Sequence, residues 1–389
     1  MKLGIFFSHP TQHHSAMFRC LTKTPGLEVK VFYYDPGLAG QMYDSGYGTS
    51  EKWDVDLLSG TNTKILWNPF RGREVSMVRQ FNPGAIAVIL REKFDAVFVA
   101  GYASPTNWLV LLAAKLTGAK VFYQSDTNVL DLRRKPSSKL KDLVRKLFFG
   151  GVHSFLAIGD KNREAHLSQG VPESRIAWCP YPVDGARYEA ARRDSELPAR
   201  LAALRKKFEV PEAARIVVFC GKLISRKRPG DLVEALRFLK REDVYGLLIG
   251  SGELEAELRR SLRPDDCVRI TGFVNQSQIP YHMLLGDVGV VTSEWDPHPL
   301  VTTEFAMCGL PVLASDYCGV WGEHDILRPG ENGFVYRCGD IEALAKFLKQ
   351  LLDNEPLRQR FGQRSLELSR DQSAEHTASL VAQLVCAKR

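Results

Sequence analysis

The sequence lacks any apolar run long enough to cross a membrane. Across its 389 residues no stretch reaches the roughly 18 consecutive apolar residues that a transmembrane helix needs. The apolar stretch at 3–7 is also too short for the core of a secretory signal peptide, and it is typical of a first strand instead. We therefore expect a cytoplasmic protein whose only membrane contact, if any, is peripheral and at the inner face.

Metal-binding cysteine patterns and two common nucleotide-binding motifs are missing as well. The eight cysteines form no C-x-x-C pair and have no spacing typical of zinc ligands, which predicts no metal site. Most lie in apolar segments, as free cysteines of a reducing compartment do. There is no G-x4-G-K-[ST] motif, and the second half has no G-x-G-x-x-G, so ATPase and ordinary dinucleotide-binding functions are disfavoured.

The composition is that of a globular protein with an uneven charge distribution. Hydrophobic residues make up 44% and charged residues 25%, which excludes a disordered or fibrous chain. The length fits two domains of about 190 residues each. Residues 1–190 carry 24 Lys and Arg against 17 Asp and Glu, a net charge of +7, whereas 191–389 carry 28 of each. The first half is thus better suited to an anionic surface or acceptor.

Short apolar runs alternate with longer amphipathic ones, which predicts parallel sheets covered by helices. Residues 36–75 interrupt the first series and predict a long insertion at the edge of the sheet, and a polar stretch after 182 separates the two series. The predicted strands are 3–7, 29–34, 96–100, 121–124 and 155–158, and then 216–219, 246–249, 268–270, 288–291, 311–314 and 333–336. The predicted fold class is α/β, with two doubly wound Rossmann-like domains that face each other across a cleft.

A cationic loop follows the first strand of the second series. Gly221 is followed by four cations, and Pro229 then marks the start of a helix. Backbone N–H groups at such a helix start favour an anion. Lys222 and Lys227 add point charges that suit a diphosphate. A solvated basic loop explains the same run equally well.

An acidic segment follows the strand at 288–291. Asp296 lies in its Pro-rich loop, and Glu304 lies one turn into a helix that begins near Leu300. The backbone N–H groups of Leu300 and Val301 are expected to face the ligand. For a lone glutamate, the simpler interpretation is a surface carboxylate.

The second half resembles family 4 (group 1) of the retaining glycosyltransferases, which are metal-independent and have the GT-B fold. The resemblance rests on five segments in the family's order: Gly221-Lys222-Leu223 with Lys227, Gly250-Ser251-Gly252, Thr271-Gly272-Phe273, 304–315 (E-F-A-M-C-G-L-P-V-L-A-S) and Gly330-Glu331-Asn332-Gly333. It implies a nucleotide-sugar domain at 191–370, an acceptor-binding domain at 1–190 and a C-terminal helix at 371–389 that packs back on the N-terminal domain.

The resemblance also implies a role for each matching residue. Lys222 and Lys227, with Gly221, would hold the diphosphate, and the backbone at Gly272 would meet the base. Glu304 would accept the ribose hydroxyls, and Asp296 would touch the donor sugar at its reacting face. No cofactor is implied. This chain departs from the family pattern in having Lys222 for Arg, Asp296 for Glu and Pro299 for Gly.

The implied function is transfer of a hexosyl-type sugar from a nucleotide-diphosphate donor to a glycan or lipid-linked acceptor, with retention at the anomeric carbon. Two alternatives stay open. One is a sugar-nucleotide 2-epimerase of the same fold. The other is a non-catalytic subunit that binds sugar nucleotides, which the departures at Asp296 and Pro299 leave open.

The first half offers two candidate catalytic residues at strand ends. His13 lies among three histidines after the first strand, where a role in lining the cleft is expected rather than zinc binding. Asp126 follows the strand at 121–124 and is either an acceptor contact or part of a helix cap.

A basic amphipathic stretch lies at 133–149, with seven cations and one acid. Its apolar stripe either packs in the core or docks on anionic lipid, and it consists of Leu140, Leu143, Val144, Leu147 and Phe148. Nucleic-acid binding is disfavoured, because no aromatic residues interleave the cations.

Overall fold

The computed structural model describes residues 1–35, 53–70, 80–134 and 138–387. These residues form two compact units. The first contains the described residues up to Asp184 together with those from Ser373 onward, and the second is Gly185–Gln372. The predicted domain boundaries at 190 and 370, and the predicted domain roles, stay predictions. Most of the predicted insertion lies outside the described residues.

The first unit contains a parallel sheet that, within its described residues, has seven strands. They are β1 (Lys2–Phe7), β2 (Glu28–Tyr33), β3 (Thr63–Ile65), β4 (Ala96–Ala100), β5 (Lys120–Gln124), β6 (Ser154–Ala157) and β7 (Ile176–Trp178). The spatial order is β3-β2-β1-β4-β5-β6-β7. Both faces are covered, since Ile5 packs in one apolar cluster and its neighbour Phe6 in another. Burial on both faces explains why the central strands β1 and β4 are apolar along most of their length.

Within the described residues, six α-helices lie before Gly185, where the second unit begins. They are α1 (Gln12–Thr22), α2 (Gly84–Glu92), α3 (Pro105–Thr117), α4 (Val129–Arg134), α5 (Lys139–Gly150) and α6 (Asp160–Ser168). Side-chain oxygens fix two of their starts: Thr11 accepts from the backbone N–H of His14 at 3.4 Å, and Ser138 accepts from that of Lys141 at 3.3 Å.

The second unit contains a six-stranded parallel sheet. Its strands are β8 (Arg215–Cys220), β9 (Val244–Ile249), β10 (Val268–Ile270), β11 (Val288–Val291), β12 (Val312–Ser315) and β13 (Gly333–Tyr336). Its helices are α7 (Gly185–Arg192), α8 (Leu197–Lys207), α9 (Gly230–Leu239), α10 (Glu255–Ser261), α11 (Ile279–Met283), α12 (Val301–Met307), α13 (Ile341–Asp353) and α14 (Glu355–Ser369). The order is β10-β9-β8-β11-β12-β13. Each unit is therefore a Rossmann-like α/β domain.

The last helix, α15 (Ala374–Cys386), belongs to the first unit. Its Val381 packs in the same apolar cluster as Met17 of α1. The chain leaves and re-enters the unit at adjacent points, because the N–H of Ala374 donates to the carbonyl of Val183 at 2.9 Å.

In both sheets the strand order reverses at one position, between β1 and β4 in the first and between β8 and β11 in the second. Open α/β sheets bind ligands at the carboxyl ends of the strands beside such a reversal. In the second unit these ends carry the loops 221–229 and 292–300. The two segments that the sequence singles out are therefore neighbours.

Three of the five residues in the predicted apolar stripe of α5 face solvent, so its interpretation as a core face is correct only in part. The exposed fractions of Leu140, Leu143 and Leu147 are 71%, 55% and 63%, whereas Val144 is half-buried and Phe148 is buried. Arg145 and Phe149 are buried as well. The segment 135–137 of the predicted basic run lies outside the described residues. No helix within the described part of the chain is both long and apolar enough to span a bilayer.

Candidate functional site

The loop after β8 packs backbone to backbone on the loop after β9. The N–H of Leu223 donates to the carbonyl of Ser251 at 2.8 Å. A Cβ atom at Gly250 would lie 2.0 Å from the carbonyl oxygen of Gly221, and one at Gly252 would lie 2.6 Å from that of Leu223. Glycine is required at both positions because a side chain would separate the loops.

Gly272, in the loop after β10, packs against Gly250 in turn. Its φ of +74° is unfavourable for other residues, and its carbonyl accepts from the N–H of Gly250 at 3.1 Å. The predicted donor-binding glycines Gly221 and Gly272 therefore lie on either side of Gly250.

A Gly250→Ala substitution tests this packing. We expect the free energy of unfolding to fall by on the order of 3 kcal/mol, because the backbone has to move and φ is +138° there. Gly84→Ala is the matched control, since a Cβ there meets no atom within 4 Å. Thermal unfolding measures both; equal melting temperatures for the two variants would contradict the close packing.

The two arginines of the 221–229 loop contact neighbours within the second unit. Arg228 donates to both carboxylate oxygens of Asp231, at 2.8 and 3.0 Å. Arg226 donates to the carbonyl of Trp295 at 3.0 Å, and its guanidinium lies 5.0 Å from the centre of the Trp295 ring. These contacts shape the loop, and Lys222 and Lys227 stay the predicted diphosphate ligands.

The loops 221–229 and 292–300 are tied together. The hydroxyl of Thr292 donates to the carbonyl of Lys227 at 2.7 Å, and the N–H of Glu294 donates to that of Arg226 at 2.9 Å. The Lys227 ammonium forms an ion pair with the Asp296 carboxylate. The structure thus brings these two predicted site residues into direct contact.

His298 lies beside Asp296, and sequence analysis missed it. Both of its ring nitrogens are shielded from solvent. Burial lowers the pKa of His298 to about 4, although the Asp296 carboxylate and a hydrogen bond with the backbone of Gly319 oppose this shift. A neutral imidazole therefore lies next to the Lys227–Asp296 pair at neutral pH.

Glu304 lies on α12, which begins at Val301 immediately after Leu300 as predicted. Its side chain is buried, and burial raises its pKa, while the Arg187 guanidinium and the Tyr188 hydroxyl lower it. Arg187 Nη2 lies 3.8 Å from Glu304 Oε1. Sequence analysis missed both α7 residues, because nothing in a short polar helix after a domain boundary indicates a partner on α12.

The Cys220 thiol connects the cationic and acidic parts of the site. This residue ends β8, and burial raises the pKa of its thiol far above the usual range. The Glu304 carboxylate raises that pKa further, whereas the Lys227 ammonium lowers it. Lys227 and Glu304 lie on segments that follow the paired strands β8 and β11, so both are near the carboxyl ends of the second sheet.

In the first unit, His14 rather than His13 is central to a polar cluster. Its Nε2 lies 3.3 Å from Gln124 Oε1, and its Nδ1 lies 3.1 Å from Thr11 Oγ1. Burial lowers the pKa of His14 to about 4, the hydrogen bond with Gln124 raises it and His9 lowers it. His13 is the second residue of α1 and stays a predicted site residue.

Asp126 lies near this cluster. At the start of α4, the backbone N–H of Asn128 donates to the Asp131 carboxylate and that of Asp131 donates to Asn128 Oδ1, at 3.2 and 3.0 Å. The His14 ring lies 4.9 Å from that of Tyr181, and the Asp126 carboxylate raises the pKa of the same tyrosine, although burial is the larger cause. Among the described residues, no group of three or more His, Cys, Asp or Glu side chains is arranged to hold a metal ion.

Comparison with known proteins agrees with this geometry. Residues 202–367 match the family described as "Glycosyl transferases group 1". The N-acetyl-alpha-D-glucosaminyl L-malate synthase of Bacillus anthracis is 26% identical over 171 residues, which cover 43% of this chain and 44% of that protein. The lipopolysaccharide core biosynthesis glycosyltransferase LpsE of Rhizobium meliloti (strain 1021) is 30% identical over 171 residues, covering 43% and 48%. The chain thus spans about half the length of these relatives.

A solved structure matches along the whole chain. Alr3699/HepE of Anabaena, crystallised in complex with UDP, superimposes with a TM-score of 0.72 at 15% identity and 99% coverage of both chains. At that identity the likeness shows the fold. The chain therefore has the GT-B fold, and its residues 202–367 match the group 1 glycosyltransferase family.

Proposed function

We propose that the protein is a retaining glycosyltransferase that transfers a hexosyl-type sugar from a nucleotide-diphosphate donor to a glycan or lipid-linked acceptor. The observation that carries the proposal is that the loop with Lys227 and the segment with Asp296 and Glu304 follow the paired strands β8 and β11 at the strand reversal of the second sheet, where Lys227 and Asp296 form an ion pair. A cation and a carboxylate on one side of such a site suit the diphosphate and the ribose of a single donor.

The assigned chemistry is electrostatic. Lys227 and Lys222 are assigned to the departing diphosphate, whose negative charge grows as the bond to the sugar breaks. Asp296 is assigned to the donor sugar, and Glu304 to the two ribose hydroxyls. His13 and Asp126 of the first unit are assigned to the acceptor. Gly221, Gly272 and the N–H groups of Leu300 and Val301 are assigned to the donor as backbone contacts.

A thermal-shift screen with UDP-, GDP- and ADP-sugars tests donor binding. A true donor at 100 times its Kd is expected to stabilise the fold by about 2.7 kcal/mol. UDP-sugars are the first choice, because Alr3699/HepE was crystallised with UDP. If no nucleotide sugar shifts the melting temperature, the proposal fails.

Incubation of the identified donor without acceptor separates the proposal from the epimerase alternative, which would change the donor sugar itself. Analysis of the product anomer by NMR then tests retention. An inverted product would contradict the retaining mechanism.

We further propose that α5 makes peripheral contact with anionic lipid. Three exposed leucines lie at i, i+3 and i+7, so they share one helix face. Lys139, Lys141 and Lys146 are exposed on the same helix. Apolar side chains flanked by cations are what an anionic membrane surface binds.

Replacing Leu140, Leu143 and Leu147 together by Gln tests this contact. We expect binding to vesicles of phosphatidylcholine with phosphatidylglycerol to weaken by about tenfold or more, since each leucine buries apolar area worth on the order of 1 kcal/mol. Co-sedimentation measures it, and vesicles of phosphatidylcholine alone are the control. Equal sedimentation of wild type and variant would contradict the role of α5.

A further inference from the structure

Arg187 is held in place by three neighbours. Its Nη1 donates to Gln276 Oε1 at 3.0 Å, its guanidinium lies 5.3 Å from the centre of the Tyr188 ring, and its Nη2 lies 3.8 Å from Glu304 Oε1. The side chain is only 12% exposed. An arginine fixed on two sides in this way presents its charge to the third partner in one orientation.

The Arg187 guanidinium favours the ionised form of Glu304 by lowering a pKa that burial raises. The carboxyl group is buried, and its surroundings include the Tyr188 hydroxyl and the thiols of Cys220 and Cys308. Burial alone raises its pKa and favours the neutral acid. A neutral carboxyl group donates through one oxygen, so it accepts fewer hydrogen bonds from two vicinal hydroxyls than a carboxylate does.

We propose that Arg187 is a positioning residue that keeps Glu304 ionised and oriented for the ribose of the nucleotide donor. The inference rests on the proposed function, since it takes the ribose as the ligand of Glu304. Arg187 acts through Glu304 and does not itself touch the donor. Its guanidinium already contacts Gln276 and the Tyr188 ring.

The groups around Glu304 allow a clean test by pH. Burial raises the pKa values of Tyr188, Cys220 and Cys308 far above the usual range, so these groups stay neutral between pH 5.5 and 8.5. Arg187 stays charged throughout. Glu304 is therefore the group in this cluster whose charge changes when Arg187 is replaced.

The experiment measures the Kd of UDP by calorimetry for wild type, Arg187→Met and Arg187→Lys from pH 5.5 to 8.5. The ratio of variant to wild-type Kd is used at each pH, because protonation of UDP is common to both proteins. For Arg187→Met we expect a ratio of about 30 at pH 5.5 that falls as Glu304 deprotonates, by up to tenfold per pH unit. Arg187→Lys, which keeps the charge, is expected to stay within about threefold of wild type at every pH.

Two further variants complete the test. Arg193→Met removes an arginine that is 79% exposed and pairs with Glu189 at the surface, and it is expected to leave the Kd unchanged. In the Arg187→Met/Glu304→Gln double variant, UDP should bind no more weakly than in Glu304→Gln alone, because Arg187 acts through the carboxylate.

The outcomes separate the inference from the proposed function. A Kd ratio independent of pH, or additive losses in the double variant, would overturn the positioning role and make Arg187 a direct ligand. If Glu304→Gln alone leaves UDP affinity unchanged, the assignment of Glu304 in the proposed function fails and this inference fails with it. Should Arg187→Met not fold, Arg187→Lys and the double variant still decide the question.

Discussion

Replacing Lys227 by Ala is expected to lower kcat/KM for sugar transfer by about 100- to 1,000-fold, the usual loss when one group that stabilises developing charge is removed. The side chain is 18% exposed and pairs with the buried Asp296, so its charge acts in a poorly solvated site. Initial rates with the donor from the nucleotide-sugar screen give the measurement.

The Lys227→Ala variant also leaves Asp296 buried without its cation, which costs about 3 to 5 kcal/mol when a buried pair is broken. The double variant Lys227→Ala/Asp296→Asn removes both charges, so it should recover most of the stability but none of the activity. Lys206→Ala, on the exposed surface of α8, is the control for loss of one positive charge. Recovery of activity in the double variant would show that Lys227 matters for stability alone.

The Glu304→Gln variant is expected to bind UDP about 30-fold more weakly than wild type, because a carboxylate that accepts two hydroxyl hydrogen bonds is replaced by a neutral amide. Removal of the ribose hydroxyls from the ligand should have the same effect as removal of the carboxylate. Wild type should discriminate against 2′,3′-dideoxy-UDP by a similar factor, whereas the variant should bind UDP and its dideoxy analogue within about threefold.

Calorimetric titration of wild type and Glu304→Gln with UDP and with its dideoxy analogue completes a thermodynamic cycle. Thermal unfolding of the variant shows whether loss of the anionic partner of Arg187 lowers the stability of the fold. If the variant still prefers UDP over the dideoxy analogue by the wild-type factor, Glu304 does not meet the ribose. The cycle thus isolates the carboxylate–hydroxyl contact from any general loosening of α12.

The two Rossmann-like units could be predicted from sequence because burial on both faces makes each central strand continuously apolar. Strands such as β1 and β8 therefore stand out against the amphipathic helices. The edge strands β3 and β7 were missed. Each has three residues, too few to show a period, and neither is fully buried.

Amphipathic spacing alone did not show which part of the α5 stripe is buried. The pattern shows that Leu140 and Leu147 share a face, but not whether that face meets the protein or the solvent. Arg145 is buried at 9% side-chain exposure through its ion pair with Asp142, which no hydrophobicity pattern anticipates.

Within the site, sequence analysis found residues that lie in characteristic segments and missed those that act across the fold. Lys227 and Glu304 stand in family-like motifs. Arg187 and His298 owe their surroundings to tertiary contacts, namely the approach of α7 to α12 and the packing of the 292–300 loop on the backbone at Gly319. The residue-by-residue roles of the predicted site stay predictions.

The hydrogen bond between Ala374 and Val183 places the outgoing and returning chain side by side on the first unit. Topologically, Gly185–Gln372 is then an insert within a host whose own halves are discontinuous in sequence. Truncated or chimaeric variants therefore have to keep both segments of the first unit together. The insert can be excised as one segment or exchanged for that of a relative, whereas a host truncated before α15 would lose a helix that covers its sheet.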